Sequence, residues 1–292
     1  MSLLIALIGG LVLGGTYALV SMGLTLQYGV ARIMNLAYGE CVVLACFAAF
    51  LLHTRLGIDP IVSLAIVVPG GFAAGWVLYG LMMRPLVRRA AGAGQLEVDS
   101  ILATFGLLFV LQGAMLLAFG SNYTGYSYLD VGIPLFGARI AANRLLAFGL
   151  AIGLGGVFYL LLTRTRRGTA LRAVAAAPGS APLVGIDVDR AARSAFALGA
   201  AMAAAGGVLL SMIQTFTAAA GMVITMKALI VVILGGVGNL LGALVAGLLL
   251  GVVEVLVATF VDPGLTLAAT FTVFLVALLW RPAGLFGARP GR

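Results

Sequence analysis

Charged side chains are scarce in this sequence. Only 9% of its 292 residues are charged, and it contains a single lysine, a single histidine and two cysteines. Hydrophobic residues make up 63% of the chain, and the mean hydropathy is +1.19. Such a composition leaves no room for a soluble catalytic or nucleotide-binding domain and indicates a protein that works within a lipid bilayer.

Residue patterns that carry enzyme chemistry are also missing. His53 stands alone, and no cysteine or histidine spacing suited to a metal ion occurs. Cys41 and Cys46 are five positions apart, so a helix turns them away from each other and prevents a disulfide. Neither a nucleophile motif nor a phosphate-binding loop is present. We therefore expect no catalytic residue, no cofactor and no metal site.

Long apolar runs fill the chain instead. A helix needs ~20 residues to cross a hydrocarbon core ~30 Å thick, and several runs approach that length. They are apolar on all sides and show no alternation of the kind that barrel strands require. We predict one domain, residues 1–292, with an all-α fold: a polytopic transmembrane helical bundle of about eight or nine spans. The expected spans are residues 3–26, 41–56, 61–83, 100–119, 144–162, 194–216, 240–260 and 265–280, with 226–234 as a short additional segment.

The net charge of +8 comes from arginines near the ends of these spans. This is the pattern of the positive-inside rule, so we expect no nucleic-acid partner. The rule places residues 84–99, 163–193 and the tail after Arg281 in the cytoplasm, and the tyrosine-rich loop 120–143 outside. The tail is cytoplasmic only if residues 226–234 count as a crossing; if they are re-entrant, eight spans remain.

Small residues recur four positions apart and predict close packing between helices, because helices in lipid associate through close backbone approach. The pairs are Gly10/Gly14, Gly71/Gly75, Gly149/Gly153, Ala203/Gly207, Gly238/Gly242 and Gly247/Gly251.

The first polar interruption, residues 27–40, has two interpretations. It contains Gln27, Asn35, Tyr38 and Glu40. As an ordinary turn, it would use Asn35 as the helix cap, with Glu40 near the positive helix end. As a broken helix, it would line a water-filled path, since irregular backbone at membrane depth is tolerated there.

The second interruption runs from Lys227 to Asn239. Lys227 either extends to the membrane surface or faces the bundle interior, where charges usually mark a pathway. The glycines between residues 235 and 238 favour a tight reversal between two helices. Glu254 lies well inside an expected span, so it must be paired, protonated or in contact with water, with Lys227 or Asn239 as partner.

The third interruption is the basic loop 163–193, which carries six arginines. Residues 166–177 are strong helix formers, and Pro178 should end this helix near Ala177. The helix either docks a soluble partner or belongs to a basic loop that binds anionic lipid headgroups.

Four blocks of sequence, in order, resemble the permease subunits of branched-chain amino acid ABC importers of the LivH type. The first contains Asn-Leu-Ala-Tyr-Gly-Glu at 35–40, where the common form has Phe and His at the second and fourth positions. The others are residues 168–174 with 183–186, the glycine-rich block 226–243, and Arg-Pro-Ala-Gly-Leu-Phe-Gly at 281–287. The resemblance covers the whole chain.

This resemblance implies a permease in a bacterial inner membrane that performs no chemistry itself. Its expected partners are a second homologous permease, two cytoplasmic ATPase subunits and an extracytoplasmic binding protein that delivers the amino acid. The expected ATPase-coupling residues are Ala170, Leu171, Arg172, Ala173, Val174 and Gly185. The candidate residues of the translocation path are Gln27, Asn35, Tyr38, Glu40, Lys227, Asn239 and Glu254.

Other functions stay open at this point. Relatives of these importers carry urea, short amides or aromatic acids. A proton-coupled secondary transporter would use Glu254 as its proton site. A passive channel would require a row of polar residues along one helix, which no expected span offers.

Overall fold

Apolar α-helices form almost all of the computed structural model, which describes residues 2–90, 92–135, 138–281 and 284–287. A two-stranded antiparallel hairpin lies between two of the long helices. The elements are α1 (Ser2–Ala31), α2 (Tyr38–Leu56), α3 (Pro60–Leu78) followed by a π-helical turn (Tyr79–Met83), α4 (Arg84–Arg89), α5 (Ala93–Phe119), β1 (Gly132–Leu135), β2 (Ala138–Ala141), α6 (Ala142–Arg164), α7 (Arg166–Ala176), a 3-10 turn (Ala181–Val184), α8 (Val188–Ile213), α9 (Gly221–Gly235), α10 (Leu240–Phe260), a 3-10 turn (Pro263–Leu265) and α11 (Thr266–Trp280).

The expected helical membrane bundle is confirmed. Within the described residues, eight helical segments are long and apolar enough to cross a membrane. They are Leu3–Ala31, Tyr38–Leu56, Pro60–Arg89, Gly94–Phe119, Ala142–Arg164, Val188–Ile213, Leu240–Phe260 and Pro263–Trp280.

The short segment α9 is not one of the eight. Its 15 residues span ~22 Å, less than the hydrocarbon thickness of ~30 Å. The segment before it, residues 214–220, pairs with the α5–α6 loop through a bridge between Phe216 and Thr124. The end of α9 instead bonds the tail, since Leu285 N donates to Leu234 O at 2.7 Å. Residues 214–235 together therefore connect opposite ends of the bundle, and the tail lies at the end that carries α7.

Several expected boundaries were wrong because polar or charged residues do not by themselves end a helix. α1 continues past Leu26 to Ala31, which shortens the first interruption to residues 32–37. The supposed loop 84–99 is mostly α4 and the start of α5, separated near Gly92. α8 begins six residues early, where Asp187 accepts a hydrogen bond from Arg190 N as the N-cap.

α8 is the most enclosed span, and α1, α2 and α3 pack around it. Its alanines and glycines allow this close approach. A Cβ on Gly207 would meet the backbone of Val42 in α2, and one on Gly75 of α3 would lie 3.0 Å from the Cα of Ala197. The expected role of small residues is confirmed at these contacts.

α1 and α10 cross through the clearest small-residue contact. Gly10 and Gly14 of α1 face Gly247 and Gly251 of α10, so two of the predicted pairs pack against each other. A Cβ on Gly14 would lie 2.7 Å from the Cα of Leu248. The prediction was wrong for the α6 pair that begins at Gly149, where an added Cβ would meet nothing within 4 Å.

The loop at the far end of the bundle is fastened by tyrosines. Tyr128 Oη donates to the Asp59 carboxylate at 2.9 Å, and Tyr126 Oη lies 2.9 Å from Ser211 Oγ. Burial, and then the hydrogen bond to Asp59, raise the pKa of Tyr128 to about 12, so the hydroxyl keeps the proton that it donates to Asp59 even at moderately alkaline pH.

Candidate functional site

The turn between α1 and α2 is organised by two side-chain amides. Asn35 Oδ1 accepts from Ala37 N at 3.1 Å, and Asn35 Nδ2 donates to Gln27 Oε1 at 3.3 Å. Gln27 Nε2 donates in turn to Phe196 O of α8 at 2.9 Å. The N-cap of α2 is Ala37, so the expectation that Asn35 caps this helix was wrong. Asn35 instead closes the turn two residues earlier.

Hydroxyl groups of α5 bind the backbone of the same turn. Met34 N donates to Ser100 Oγ at 3.2 Å, and Leu36 N donates to Thr104 Oγ1 at 3.0 Å. Asn35 is 3% exposed, and both hydroxyl-bearing residues are fully buried. The irregular backbone is therefore enclosed by protein, as non-helical backbone at membrane depth must be unless it lines a cavity.

Tyr38 joins α2 to the two central helices. Its Oη lies 2.8 Å from the carbonyl oxygen of Val20 in α1 and 3.0 Å from that of Gly199 in α8. The ring is fully buried. Gly23 leaves space for it, because a Cβ there would collide with the hydroxyl.

A cavity of about 450 Å³ lies beside these amides, between α2, α3 and α8. Gln27, Asn35 and Tyr38 form its polar end, and its lining contains no charged residue from the described part of the chain. An apolar pocket with a few convergent polar groups suits a small solute with an apolar side chain. The apolar walls include Leu44, Ala45, Leu52, Val67, Phe196 and Ala200.

Glu40 is not part of the lining of this cavity. Its side chain is fully buried against Gly221, the first residue of α9, and neither carboxylate oxygen has a hydrogen-bond partner among the residues that the structure describes. The positive end of the α9 dipole favours a carboxylate at this position. Next to it, Gly39 N donates to Thr225 Oγ1 at 2.8 Å, and Thr225 Oγ1 donates to Leu36 O at 3.1 Å. The α1–α2 turn is thus fastened to the first half of α9.

A buried ion pair links α9 to α10. Lys227 Nζ lies 2.5 Å from Glu254 Oε1, and each side chain is 12% exposed. Lys227 Nζ also donates to Tyr17 Oη of α1 at 2.9 Å. Of the two partners considered for Glu254, Lys227 is the one in contact.

Asn239 has a different role, so its proposed pairing with Glu254 was wrong. Its Oδ1 accepts from Gly242 N at 3.0 Å and caps α10, while its Nδ2 donates to Phe286 O at 3.1 Å. Gly236 and Gly238 have φ of 96° and 82°, which L side chains rarely adopt. The predicted tight reversal between α9 and α10 is confirmed.

The candidate path residues therefore occupy separate places: the cavity end, the start of α9, the ion pair and the α9–α10 turn. Sequence reasoning missed the hydroxyl groups that connect these places. Tyr17, Thr104 and Thr225 each stand as a polar residue within an apolar run, and Ser100 directly precedes one, which was the available signal.

α7 lies at the end of the bundle where the arginine-rich segment is found. Thr165 caps it by accepting from Gly168 N at 3.1 Å, and it ends at Ala176, as Pro178 predicts. Leu171 and Val174 are buried against the bundle, at 4% and 1% exposure. One face of α7 is thus packed against the bundle, and the other face is exposed.

The outward side of this region carries Arg172 and an apolar tip. Arg172 is exposed and donates to Thr163 O at 3.3 Å. Leu183 and Val184, in the 3-10 turn, are 86% and 75% exposed. Gly185 ends that turn with φ of 78°. The candidate coupling residues included Gly185 but missed the two exposed apolar neighbours that it positions.

A helical bundle with an enclosed irregular turn, a half-length helix and a short helix anchored on its arginine-rich end defines a polytopic membrane transport component. The chain belongs to the family described as branched-chain amino acid transport system, permease component, which matches residues 6–280.

Named relatives extend over nearly the whole chain. The chain is 29% identical to the high-affinity branched-chain amino acid transport system permease protein BraD of Pseudomonas aeruginosa, over 96% of this chain and 94% of that protein. It is 30% identical to the permease protein LivH of the corresponding Salmonella typhimurium system, over 95% and 93%. A probable LivH of Methanocaldococcus jannaschii is 29% identical, over 92% and 84%.

Among solved structures, the chain is similar to PsaBC from Streptococcus pneumoniae in complex with Fab. The TM-score is 0.48 and the sequence identity 12%, with 98% of this chain and 94% of that chain covered. The fold class rests on the helices described above.

Proposed function

We propose that this chain is the permease subunit of an ATP-driven ABC importer for branched-chain or related amino acids in a bacterial inner membrane. The match of the family over residues 6–280 carries this proposal, because it spans every helix that could line a path. The relatives are named as high-affinity branched-chain amino acid permeases, which supports the substrate class. A second homologous permease, two cytoplasmic ATPase subunits and an extracytoplasmic binding protein complete the proposed transporter.

The cavity beside Gln27, Asn35 and Tyr38 supports this substrate class. Its walls are apolar, which suits a solute with a branched aliphatic side chain, while the amides and the hydroxyl at its end are held by hydrogen bonds within the protein. We place the translocation path along this cavity. Four candidate path residues lie outside the lining of this cavity: Glu40, Lys227, Glu254 and Asn239. We propose that they affect the path indirectly, because their contacts hold α9 in position.

The ATPase contact is proposed to be α7 together with the 3-10 turn. The buried face of α7, with Leu171 and Val174, would pass a displacement of α7 to the spans it touches, while Ala170 and Ala173 support that face. The exposed Leu183 and Val184 provide an apolar tip that an ATPase groove would bury.

The direct test is uptake into proteoliposomes. The chain, reconstituted with the partner permease, ATPases and binding protein of its own organism, is expected to accumulate radiolabelled leucine only when ATP is present inside. Omission of the ATPases should abolish accumulation. Competition by unlabelled urea, acetamide and phenylalanine distinguishes the other substrate classes. Accumulation by the chain alone under an imposed proton gradient would overturn the proposal; the Glu254 pairing with Lys227 argues against that outcome.

The coupling contact gives a sharper prediction. Leu183→Asp combined with Val184→Asp should lower ATP-dependent uptake at least about tenfold, because both exposed side chains would be replaced by carboxylates that the proposed contact would bury without a partner. Arg172→Glu is expected to act in the same direction. The measurement is uptake together with ATPase activity per inserted permease. The matched control is Val98→Asp, 57% exposed at the start of α5 between Glu97 and Asp99, which should leave both unchanged. Unimpaired uptake in the double variant would remove the turn from the contact.

A further inference from the structure

A groove of about 680 Å³ lies where the end of α6, the first half of α7 and the start of α8 meet α3. It is separate from the amide-ended cavity and contains none of the candidate path residues. Its deeper part is apolar, and its outer part is basic. The apolar part is lined by Phe72, Phe158, Leu161, Leu162 and Leu198.

Two arginines stand at the mouth of the groove. Arg167 is exposed and has no hydrogen-bond or ion-pair partner among the described residues. Arg190 pairs with Asp187 at 3.1 Å, but its side chain is 84% exposed, and such surface pairs contribute little. Residues 163–193 contain six arginines against two aspartates, so the surroundings of the mouth are also positive.

The groove extends from the level of the headgroups into the apolar layer. Arg193 stacks over the ring of Trp76 at 4.3 Å, and tryptophan and arginine together are typical of the membrane interface. Phe72 lies one helical turn further in along α3, with its ring 6.0 Å from that of Trp76. Leu198 lies eight residues beyond Arg190 on α8, a rise of ~12 Å. The basic mouth and the apolar end are therefore separated by about the distance between a lipid phosphate and the upper part of its acyl chain.

We propose that this groove binds one anionic phospholipid, with its phosphate at Arg167 and Arg190 and an acyl chain against Phe72 and Phe158. Basic pockets between transmembrane helices on the cytoplasmic side bind such headgroups. An acidic segment of a soluble protein would satisfy the arginines but would not reach the apolar depth between spans. Free phosphate would leave that depth empty. The proposal does not depend on which solute the chain transports.

The bound lipid would contact both α7 and the residues that connect it to α8. Leu171 of α7 and Ile186, just before α8, line the same groove as Arg167 and Arg190. The lipid would then stabilise the position of α7 against α6 and α8, and the composition of the membrane would influence this region directly.

Bromine quenching of Trp76 tests the proposal on the full-length chain. The chain has two tryptophans, so Trp280→Phe leaves Trp76 as the single reporter beside the groove. Nanodiscs contain either brominated phosphatidylglycerol or brominated phosphatidylcholine, at the same low mole fraction in unlabelled phosphatidylcholine. Stronger quenching by the brominated phosphatidylglycerol is expected. Equal quenching by the two lipids would overturn the proposal.

The arginines are tested by Arg167→Gln with Arg190→Gln in the same single-tryptophan background. The preference for phosphatidylglycerol should fall by about tenfold or more, because each basic residue near an anionic surface contributes appreciably to binding. The control is Arg88→Gln with Arg89→Gln, which removes the same charge from exposed positions on α4 outside the groove. Loss of the preference in both variants, or in neither, would overturn the groove as the binding site. Unchanged thermal unfolding of both variants shows that the fold is intact.

Two further measurements exclude other occupants. Inorganic phosphate at millimolar concentration should not displace the brominated phosphatidylglycerol, and displacement would assign the mouth to a free anion. An acidic peptide added from the aqueous side should also leave the quenching unchanged. Loss of quenching on its addition would assign the groove to a protein contact and overturn the lipid.

Discussion

Lys227→Met is expected to lower the free energy of unfolding by about 3–5 kcal/mol, because it leaves the Glu254 carboxylate buried without its partner. The two groups lie 2.5 Å apart, and only 12% of each side chain is exposed. Glu254→Leu should cost a similar amount, since it leaves the lysine ammonium uncompensated. Unfolding by sodium dodecyl sulfate in mixed micelles, followed by intrinsic fluorescence, measures both.

The double variant, Lys227→Met with Glu254→Leu, should recover most of this loss. Replacing a whole buried ion pair by apolar side chains of similar volume is often neutral or stabilising, whereas removal of one partner is not. Tyr17→Phe serves as the mild control, because it keeps the ring and removes only the hydroxyl that Lys227 contacts at 2.9 Å. Additive losses in the double variant would contradict the pairing.

The double variant also separates a structural role of the pair from a role in transport. If it regains stability and ATP-dependent uptake together, the ion pair acts only by holding α9 against α10. If stability returns without uptake, the charges themselves are needed during the transport cycle. The second result is expected, because intramembrane charges are costly and usually mark a pathway.

Gly14→Ala is expected to destabilise the bundle by about 3 kcal/mol. The added Cβ would lie 2.7 Å from the Cα of Leu248 and 2.8 Å from its carbonyl oxygen, and both atoms belong to the α10 backbone. No side chain can rotate away to relieve the overlap, so the helices must separate. The same unfolding assay, with size-exclusion chromatography to report folded protein, measures the loss.

Gly149→Ala provides the matched control for this crossing. The position is also inside a helix, but an added Cβ meets nothing within 4 Å. Alanine favours the helical backbone by up to ~1 kcal/mol over glycine, so this variant should be neutral or slightly more stable. Equal stability of the two variants would show that the α1–α10 contact does not depend on the glycine.

The elements that sequence predicted best are those set by local patterns. α10 has the predicted bounds 240–260, and α7 ends where Pro178 requires it. The pairing of Lys227 with Glu254 was also within reach, because a charge in lipid has very few possible partners.

The elements that sequence could not supply depend on long-range contacts. Gln27 meets Phe196 across 169 positions, and Gly39 meets Thr225 across 186. No periodicity encodes such contacts, so the enclosed turn and its cavity became visible only in three dimensions. The extension of α1 through Gln27 was missed for a related reason: polar residues within a helix are compatible with it when a neighbouring helix satisfies them.

The half-length of α9 has a mechanical consequence. The connection before it, residues 214–220, has no continuous helical ladder, and within it Phe216 packs on Phe47 and Ala218 is fully buried. This connection and α9 are held in place, because Phe216 exchanges backbone hydrogen bonds with Thr124 and Lys227 pairs with Glu254 of α10. Since Thr225 also bonds Gly39 and Leu36, a displacement of α9 would carry the start of α2, and with it the amide end of the cavity.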